Sequence, residues 1–259
     1  MWGMQRILWR TSEVLKRRVR PHRDAVVARY PQTSRLLIRR PAMQSLRWQR
    51  LFWTDPDRPV APLPYTEASV AAVLRHAGEL GPADRVLEVG SGLGSTLAAL
   101  VDHGVTNVTG VEINPLAVER MRELHPQLRD VEVLVGPAED VLAAYENDSF
   151  ALIVAVRTLR HTHPDSAHLF GTLARLAPKI VTIDEPAYLG RHAFPWDFAA
   201  EFSQYGMQVT RRRPLLVDGR ATTSTVLTMG RHASNRRLIR SARAVAYAAA
   251  SLGELRRSG

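Results

Sequence analysis

Cysteine is absent from the 259 residues, and lysine nearly so: Lys16 and Lys179 stand beside thirty-three arginines. Without cysteine there are no disulfides, no thiolate metal ligands and no covalent thiolate catalysis. Long apolar runs are missing too. The longest candidates, FALIVAV and AVAYAAASLG, fall well short of the roughly 20 residues that a membrane helix needs. The N-terminal MWGMQRILWR meets charge at Arg6 and Arg10 before an apolar core or small-residue cleavage site develops, so it does not read as a secretory signal. The expectation is a cytoplasmic protein.

The positive charge is concentrated at the ends. Residues 1–50 hold thirteen Arg or Lys against Glu13 and Asp24, a net of +11, and residues 231–259 hold seven Arg against Glu254, a net of +6. With +10 for the whole chain, residues 51–230 carry −7. The arginine excess suits bidentate contacts to anions, and it is equally what a compositional bias of the source produces. Residues 1–50 read as helical segments broken by Pro21, Pro31 and Pro41, with Trp2, Ile7, Leu8, Trp9 and Leu15 on one strip. Such a strip either packs on a core or lies on an anionic membrane or another polyanion.

After the Pro-rich stretch Thr54 to Pro64, Thr66 is placed to cap a helix that Gly81-Pro82 stops. Apolar strand-like runs then alternate with helical ones: RVLEV and STLAALVDHG, NVTGVEI and PLAVERMREL, VEVLV and AEDVLAAYE, FALIVAV and PDSAHLFGTLARL, KIVTID and FPWDFAAEFSQYG. Five strand–helix units in series predict parallel strands joined by right-handed crossovers, a doubly wound α/β sheet. The rhythm breaks at MQVTRRRPLL and TTSTVLTMG, which Asp218-Gly219 joins as a hairpin. Three parts are expected: a basic helical extension with its linker over 1–63, the α/β domain over 64–230, and a basic helix over 231–259.

The chemistry concentrates after the first strand. The dinucleotide fingerprint is G-x-G-x-x-G/A. Gly90 and Gly92 take its first two places, but Ser95 stands at the third and glycine comes one residue early, at Gly94. Glu88, two residues before the first glycine, puts negative charge where a pyrophosphate would be repelled and a cationic group such as an amine welcomed. Glu112 ends the second strand at the place where an acid receives two ribose hydroxyls. GPAED follows the third strand and sets Ala138, Glu139 and Asp140 at the sheet edge, where an adenine would rest.

Glu88 to Gly94 as E-x-G-x-G-x-G, Val111 to Pro115 as V-E-I-N-P and Gly136 to Asp140 as G-P-A-E-D together resemble the class I S-adenosylmethionine-dependent methyltransferases, over about residues 64–230. The segment Leu159 to Pro178 resembles the strand-four exit and following helix of small-molecule members. The resemblance implies a Rossmann-like seven-stranded sheet whose last strand is antiparallel, and S-adenosyl-L-methionine as cofactor. It also implies site roles: Glu88 facing the methionine amino group, Gly90, Gly92 and Gly94 in the loop beneath it, Glu112 on the ribose, and Ala138 and Glu139 around the adenine. Members often carry an acid where Ala151 stands, and that acid is usually structural.

Methyl transfer from a sulfonium is an in-line displacement, so positioning dominates and a base is needed only for a protonated nucleophile. His161 and His163, after the fourth strand, are the candidate bases, with Asp184, Glu185, Arg191 and His192 after the fifth. No metal is expected, because the displacement requires no Lewis acid. Trp53, Tyr65, Phe194 and Trp196 either shape an acceptor pocket or pack the core. Methylation of pyrimidine C5 usually needs a cysteine, and amino-methylation of bases in DNA typically uses an Asn/Asp-Pro-Pro-Tyr/Phe loop where this chain has Arg157-Thr158-Leu159-Arg160. The leading expectation is an O- or N-methyltransferase for a small molecule, with the basic ends packing on the core, dimerising or touching a membrane. An RNA methyltransferase with arginine arms on phosphates and a non-catalytic binding module remain as alternatives.

Overall fold

A computed structural model describes residues 45–56, 66–81, 83–184, 193–194 and 196–231. The expected basic segments at either end fall outside these residues, apart from 45–50 and Arg231, as do Tyr65, Glu185, Arg191 and His192. Five strands alternate with helices: α1 (Leu46–Trp53), α2 (Thr66–Ala77), β1 (Val86–Val89), α3 (Ser95–Asp102), β2 (Val108–Glu112), α4 (Pro115–Leu124), β3 (Glu132–Val135), α5 (Ala138–Val141), β4 (Leu152–Val156), α6 (Leu169–Leu176), β5 (Lys179–Asp184) and α7 (Phe198–Ser203). The hairpin β6 (Met207–Val217) and β7 (Arg220–Arg231) ends the described fold.

The sheet order is β3-β2-β1-β4-β5-β7-β6. β1 to β5 run parallel, while β7 lies antiparallel to β5 and to β6. The chain reverses its direction of winding between β1 and β4, so the crevice at the carboxyl ends of those strands is where an open α/β sheet takes its ligand. Strand alternation divides the core between two faces. Leu87, Val89, Ile153 and Ala155 pack on α6 and α7, whereas Val86, Leu152, Val154 and Val181 pack with α2, α3 and α4.

Local chemistry sets several boundaries. Asn114 caps α4, its Oδ1 accepting the Leu116 N–H at 3.0 Å, and Pro115 sits where its missing N–H costs nothing. α2 ends at Ala77, short of the expected Gly81-Pro82 stop, because Gly78 adopts a left-handed φ of 77°. The helix expected over AEDVLAAYE is a single turn. The Arg175 guanidinium takes the carbonyls of Leu142, Ala143 and Tyr145, the last two through NH2 at 2.9 Å and through NH1, and a longer helix would have needed them internally. At the far end, Asp218 and Gly219 both have positive φ, as a two-residue type I′ hairpin turn requires. Thr225 of β7 pairs with both Asp184 and Pro214, so residues 215–224 project past the carboxyl edge of β5.

Phe170 of α6 is fully buried and touches Trp196 and Phe202 edge-on, with ring centroids 5.1 and 5.3 Å away. Phe170→Ala should lower stability by about 3–5 kcal/mol. Chemical denaturation measures it, and a loss below about 1 kcal/mol would mean that α6 and α7 do not share this core.

Candidate functional site

The glycine loop between β1 and α3 is fastened to the end of β2. Gly90 and Ser91 donate their N–H groups to the Val111 carbonyl at 2.8 and 2.9 Å, and Gly92 donates to Glu112 Oε2 at 2.7 Å. Glu112 Oε1 accepts the Asn114 N–H at 3.0 Å. Gly90 is required sterically, and Gly92 by its left-handed φ of 53°. A Cβ on Gly90, whose φ is 76°, would strike the Thr158 side chain after β4, while a Cβ on Gly92 would stand in open space beside a cavity.

That cavity, about 370 Å³, lies at the carboxyl edge of the sheet. One end is walled by Gly90, Gly92, Leu93, Ser95, Glu112 and Asn114, and an adjoining wall by Gly136, Pro137, Ala138 and Glu139. The other end is formed by Arg157, Thr158, Arg160, His161, Thr162 and His163. Helix α1 contributes Leu46, Gln49, Arg50 and Trp53 to the lining. Arg50 NH2 bridges Glu139 Oε1 at 2.8 Å and Asp140 Oδ1 at 2.9 Å, and the Ser166 hydroxyl donates to the same Glu139 oxygen at 2.8 Å. Gln49 Nε2 donates to the His161 carbonyl, and the Trp53 ring meets the His161 ring 4.6 Å away. The helix therefore straddles the cavity, tied down on both sides.

Glu88 and Gly94, expected at the ligand, are elsewhere. The Glu88 side chain falls on the same sheet face as Val86, beneath the loop, and it does not line the cavity. Burial pushes its carboxyl up to about 8, with Glu112 adding to the rise and the Thr96 hydroxyl and Leu97 N–H opposing it. Its Oε2 has no hydrogen-bond partner among the described residues. Gly94 starts α3 with a φ of 81°, and a Cβ there would meet Leu128 Cδ1 at 2.8 Å, so its smallness serves helix packing. Burial also raises the Glu112 carboxyl, against the N–H bonds from Asn114, Gly92 and Ile113.

Both histidines reach the cavity, each with a ring nitrogen engaged. His163 Nδ1 accepts the Asp165 N–H at 3.1 Å, and Arg160 Nε donates to His161 Nε2 at 3.3 Å. Asp184 is buried behind them, accepting the Arg160 N–H at 3.1 Å and facing Arg160 Nε at 3.5 Å. Phe194 packs edge-on against His163, and Trp196 donates Nε1–H to the Thr162 carbonyl at 2.8 Å. Neither ring lines the cavity; they brace the loop behind it. Among the described residues, no three of His, Asp or Glu gather to hold a metal ion.

The donor set fits a nucleoside ligand with a polar tail. Both Glu112 oxygens accept backbone N–H groups, and a carboxylate's roughly four acceptor sites leave room for a hydroxyl as well. Gln49 Oε1 and Arg50 Nε, on lining residues, are buried without a hydrogen-bond partner among the described residues, as polar atoms awaiting a ligand are.

Residues 86–179 match the family model described as "Methyltransferase domain". The chain has the class I methyltransferase fold. Among solved structures, magnesium protoporphyrin IX methyltransferase from Synechocystis PCC 6803, with bound SAH, has the same fold, at a TM-score of 0.51 and 15% identity over 72% of this chain and 93% of that one. Among curated relatives, the ribosomal RNA small subunit methyltransferase A of Mycobacterium tuberculosis is 43% identical over 82 residues, 31% of this chain. That match spans 26% of the relative's length, about a quarter. The protein of the same name from Cutibacterium acnes is 28% identical over 201 residues, 63% of this chain and 67% of its own.

The Glu88 environment predicts a pH dependence for the ligand-free protein. The folded state holds a proton on Glu88 that the unfolded state releases above its ordinary carboxylate pKa of 4.5. Stability should therefore fall as pH rises from about 4.5 to about 8, with this carboxyl contributing at most about 1.4 kcal/mol per pH unit. Thermal unfolding of Glu88→Gln should show a shallower decline over that window than the wild type, and equal slopes would refute the assignment.

Proposed function

We propose that this chain transfers the methyl group of S-adenosyl-L-methionine to an oxygen or nitrogen of a small-molecule acceptor. The observation that carries the reading is the Glu112 carboxylate, buried at the end of β2 and holding the glycine loop while keeping lone pairs toward the cavity. When bound, the cofactor supplies an electrophilic methyl group on a sulfonium. Glu112 accepts the ribose hydroxyls, Ala138 and Glu139 border the adenine, and Gly90 and Gly92 let the backbone approach the methionine part. Glu88 acts from beneath the loop, without touching the ligand.

Arg157 to His163 form the acceptor end. Of the two histidines, His161 is the candidate base: it sits between Arg160 and Trp53, and accepting a proton at Nε2 requires exchanging the Arg160 contact. His163 spends Nδ1 on the Asp165 N–H and serves first to order the loop. The small size of the acceptor is supported by α1, which covers the segment after β4 through Gln49 and Trp53. The Arg157 to Arg160 sequence, in place of an Asn/Asp-Pro-Pro-Tyr/Phe loop, supports it too. The names of the curated relatives favour ribosomal RNA as a second reading, which requires RNA affinity that falls steeply with salt.

Calorimetry with S-adenosylhomocysteine tests the cofactor site. Glu112→Ala should weaken binding by tenfold or more, since each charge-assisted hydrogen bond lost is worth about 1.5–3 kcal/mol; unchanged affinity in a folded variant would contradict the site. With an acceptor in hand, His161→Ala should lower kcat by about 10²-fold or more while leaving cofactor affinity within a few fold. Full turnover would remove His161 as the base.

A further inference from the structure

Consecutive residues of α1 each leave one buried polar atom without a hydrogen-bond partner among the described residues: Gln49 Oε1 and Arg50 Nε. Unsatisfied polar atoms are costly to bury, and both side chains line the cavity, so the pair marks a place where a ligand binds. The rest of each side chain is already engaged. Gln49 is 4% exposed, and its Nε2 donates to the His161 carbonyl. A carbonyl only accepts, so that contact fixes which way the amide is turned and directs Oε1 away from His161. Arg50 holds Glu139 and Asp140 through NH2, which leaves the Nε–H on the stem of the guanidinium unused.

The same contacts place both atoms beside the wall assigned to the adenine. Arg50 reaches Glu139 directly, and the Ser166 hydroxyl joins the same Glu139 oxygen to the segment that carries His161. Between Glu139 and His161, α1 therefore offers one atom that only accepts and one that only donates. Glu139 Oε1 is spent on Arg50 and Ser166, whereas Gln49 Oε1 receives nothing among the described residues. A phosphate or carboxylate would satisfy Arg50 and be repelled by Gln49. A ligand edge with a donor beside an acceptor satisfies both, and a 6-aminopurine has that edge, its exocyclic amine donating next to an accepting ring nitrogen. A 6-oxopurine puts an oxygen at position 6, against the Gln49 oxygen.

We propose that Gln49 and Arg50 read the base of the methyl donor, Gln49 Oε1 accepting from the adenine amine and Arg50 Nε donating to the adjacent ring nitrogen N1. Helix α1 is then a specificity element of the cofactor site as well as a cover over it. The inference rests on the methyl-transfer reading, which takes the ligand of this cavity to be an adenosyl compound.

Calorimetry on the full chain with S-adenosylhomocysteine and S-inosylhomocysteine tests it. The two differ only at the base edge, where the second carries an oxygen in place of the amine and a proton on N1. The wild type should bind the adenosyl compound at least about 30-fold more tightly, because a site built to hydrogen-bond a donor rejects the analogue that lacks it. Gln49→Met keeps the length of the side chain without the acceptor, and should cut that preference about fivefold or more. Arg50→Lys keeps a cation beside Glu139 and Asp140 without the Nε–H, and should cut it about threefold or more. If α1 served only to brace the loops, both variants would weaken the two ligands alike, and a preference unchanged from wild type in both would overturn the proposal. Equal, tight binding of both ligands to the wild type would overturn it too while leaving the methyl-transfer reading in place, and binding of neither would remove both.

Discussion

The carboxylate of Glu112 is the fixed point of the site. It ends β2 and accepts the N–H groups of Gly92 and Asn114, which lie in the glycine loop and at the cap of α4. One buried acid thereby sets the position of two loops at adjacent strand ends. Burying it is costly, as the upward push on its pKa records, and the backbone N–H groups offset part of that cost. A group this well oriented before any ligand arrives needs little rearrangement to hold a pair of hydroxyls, which is what positioning for a displacement demands.

A second constraint acts from above. Arg50 clasps Glu139 and Asp140 on one side of the cavity while Gln49 and Trp53 hold His161 on the other. The same helix therefore touches the two ends assigned to adenine and acceptor. Breaking the partly buried Arg50–Glu139 pair is the step that would expose the adenine side, and a ligand donor reaching Glu139 would compete for the oxygen that Arg50 and Ser166 share. One short helix thus braces both ends of the cavity.

Much of this was legible in the residues. Consecutive apolar stretches such as KIVTID and LIVAV mark strands buried on both faces, Asn114-Pro115 marks a helix start, and Asp218-Gly219 marks the hairpin. The acid at the end of β2 could be placed at the cavity because its position depends on strand order and spacing, which are local. What escaped depends on contacts remote in sequence. α1 read as part of a basic extension, since nothing in LRWQRLFW announces partners at His161 and Glu139, 112 and 89 residues away. Glu88 was assigned to the cavity because spacing locates a residue along a strand but not the loop peptides above it. Gly94 was grouped with its neighbours by motif, whereas Met121 and Leu128 explain it by packing.

The central claim is that one nucleoside ligand spans the glycine loop, the end of β2 and the segment around Glu139, beneath α1. Hydrogen exchange of the full chain, with and without S-adenosylhomocysteine, tests it most directly. The account predicts added protection together in 46–53, 90–95, 112–114 and 137–140, with the β6–β7 hairpin unchanged. Protection confined to any other region, or none at saturating ligand, would contradict it.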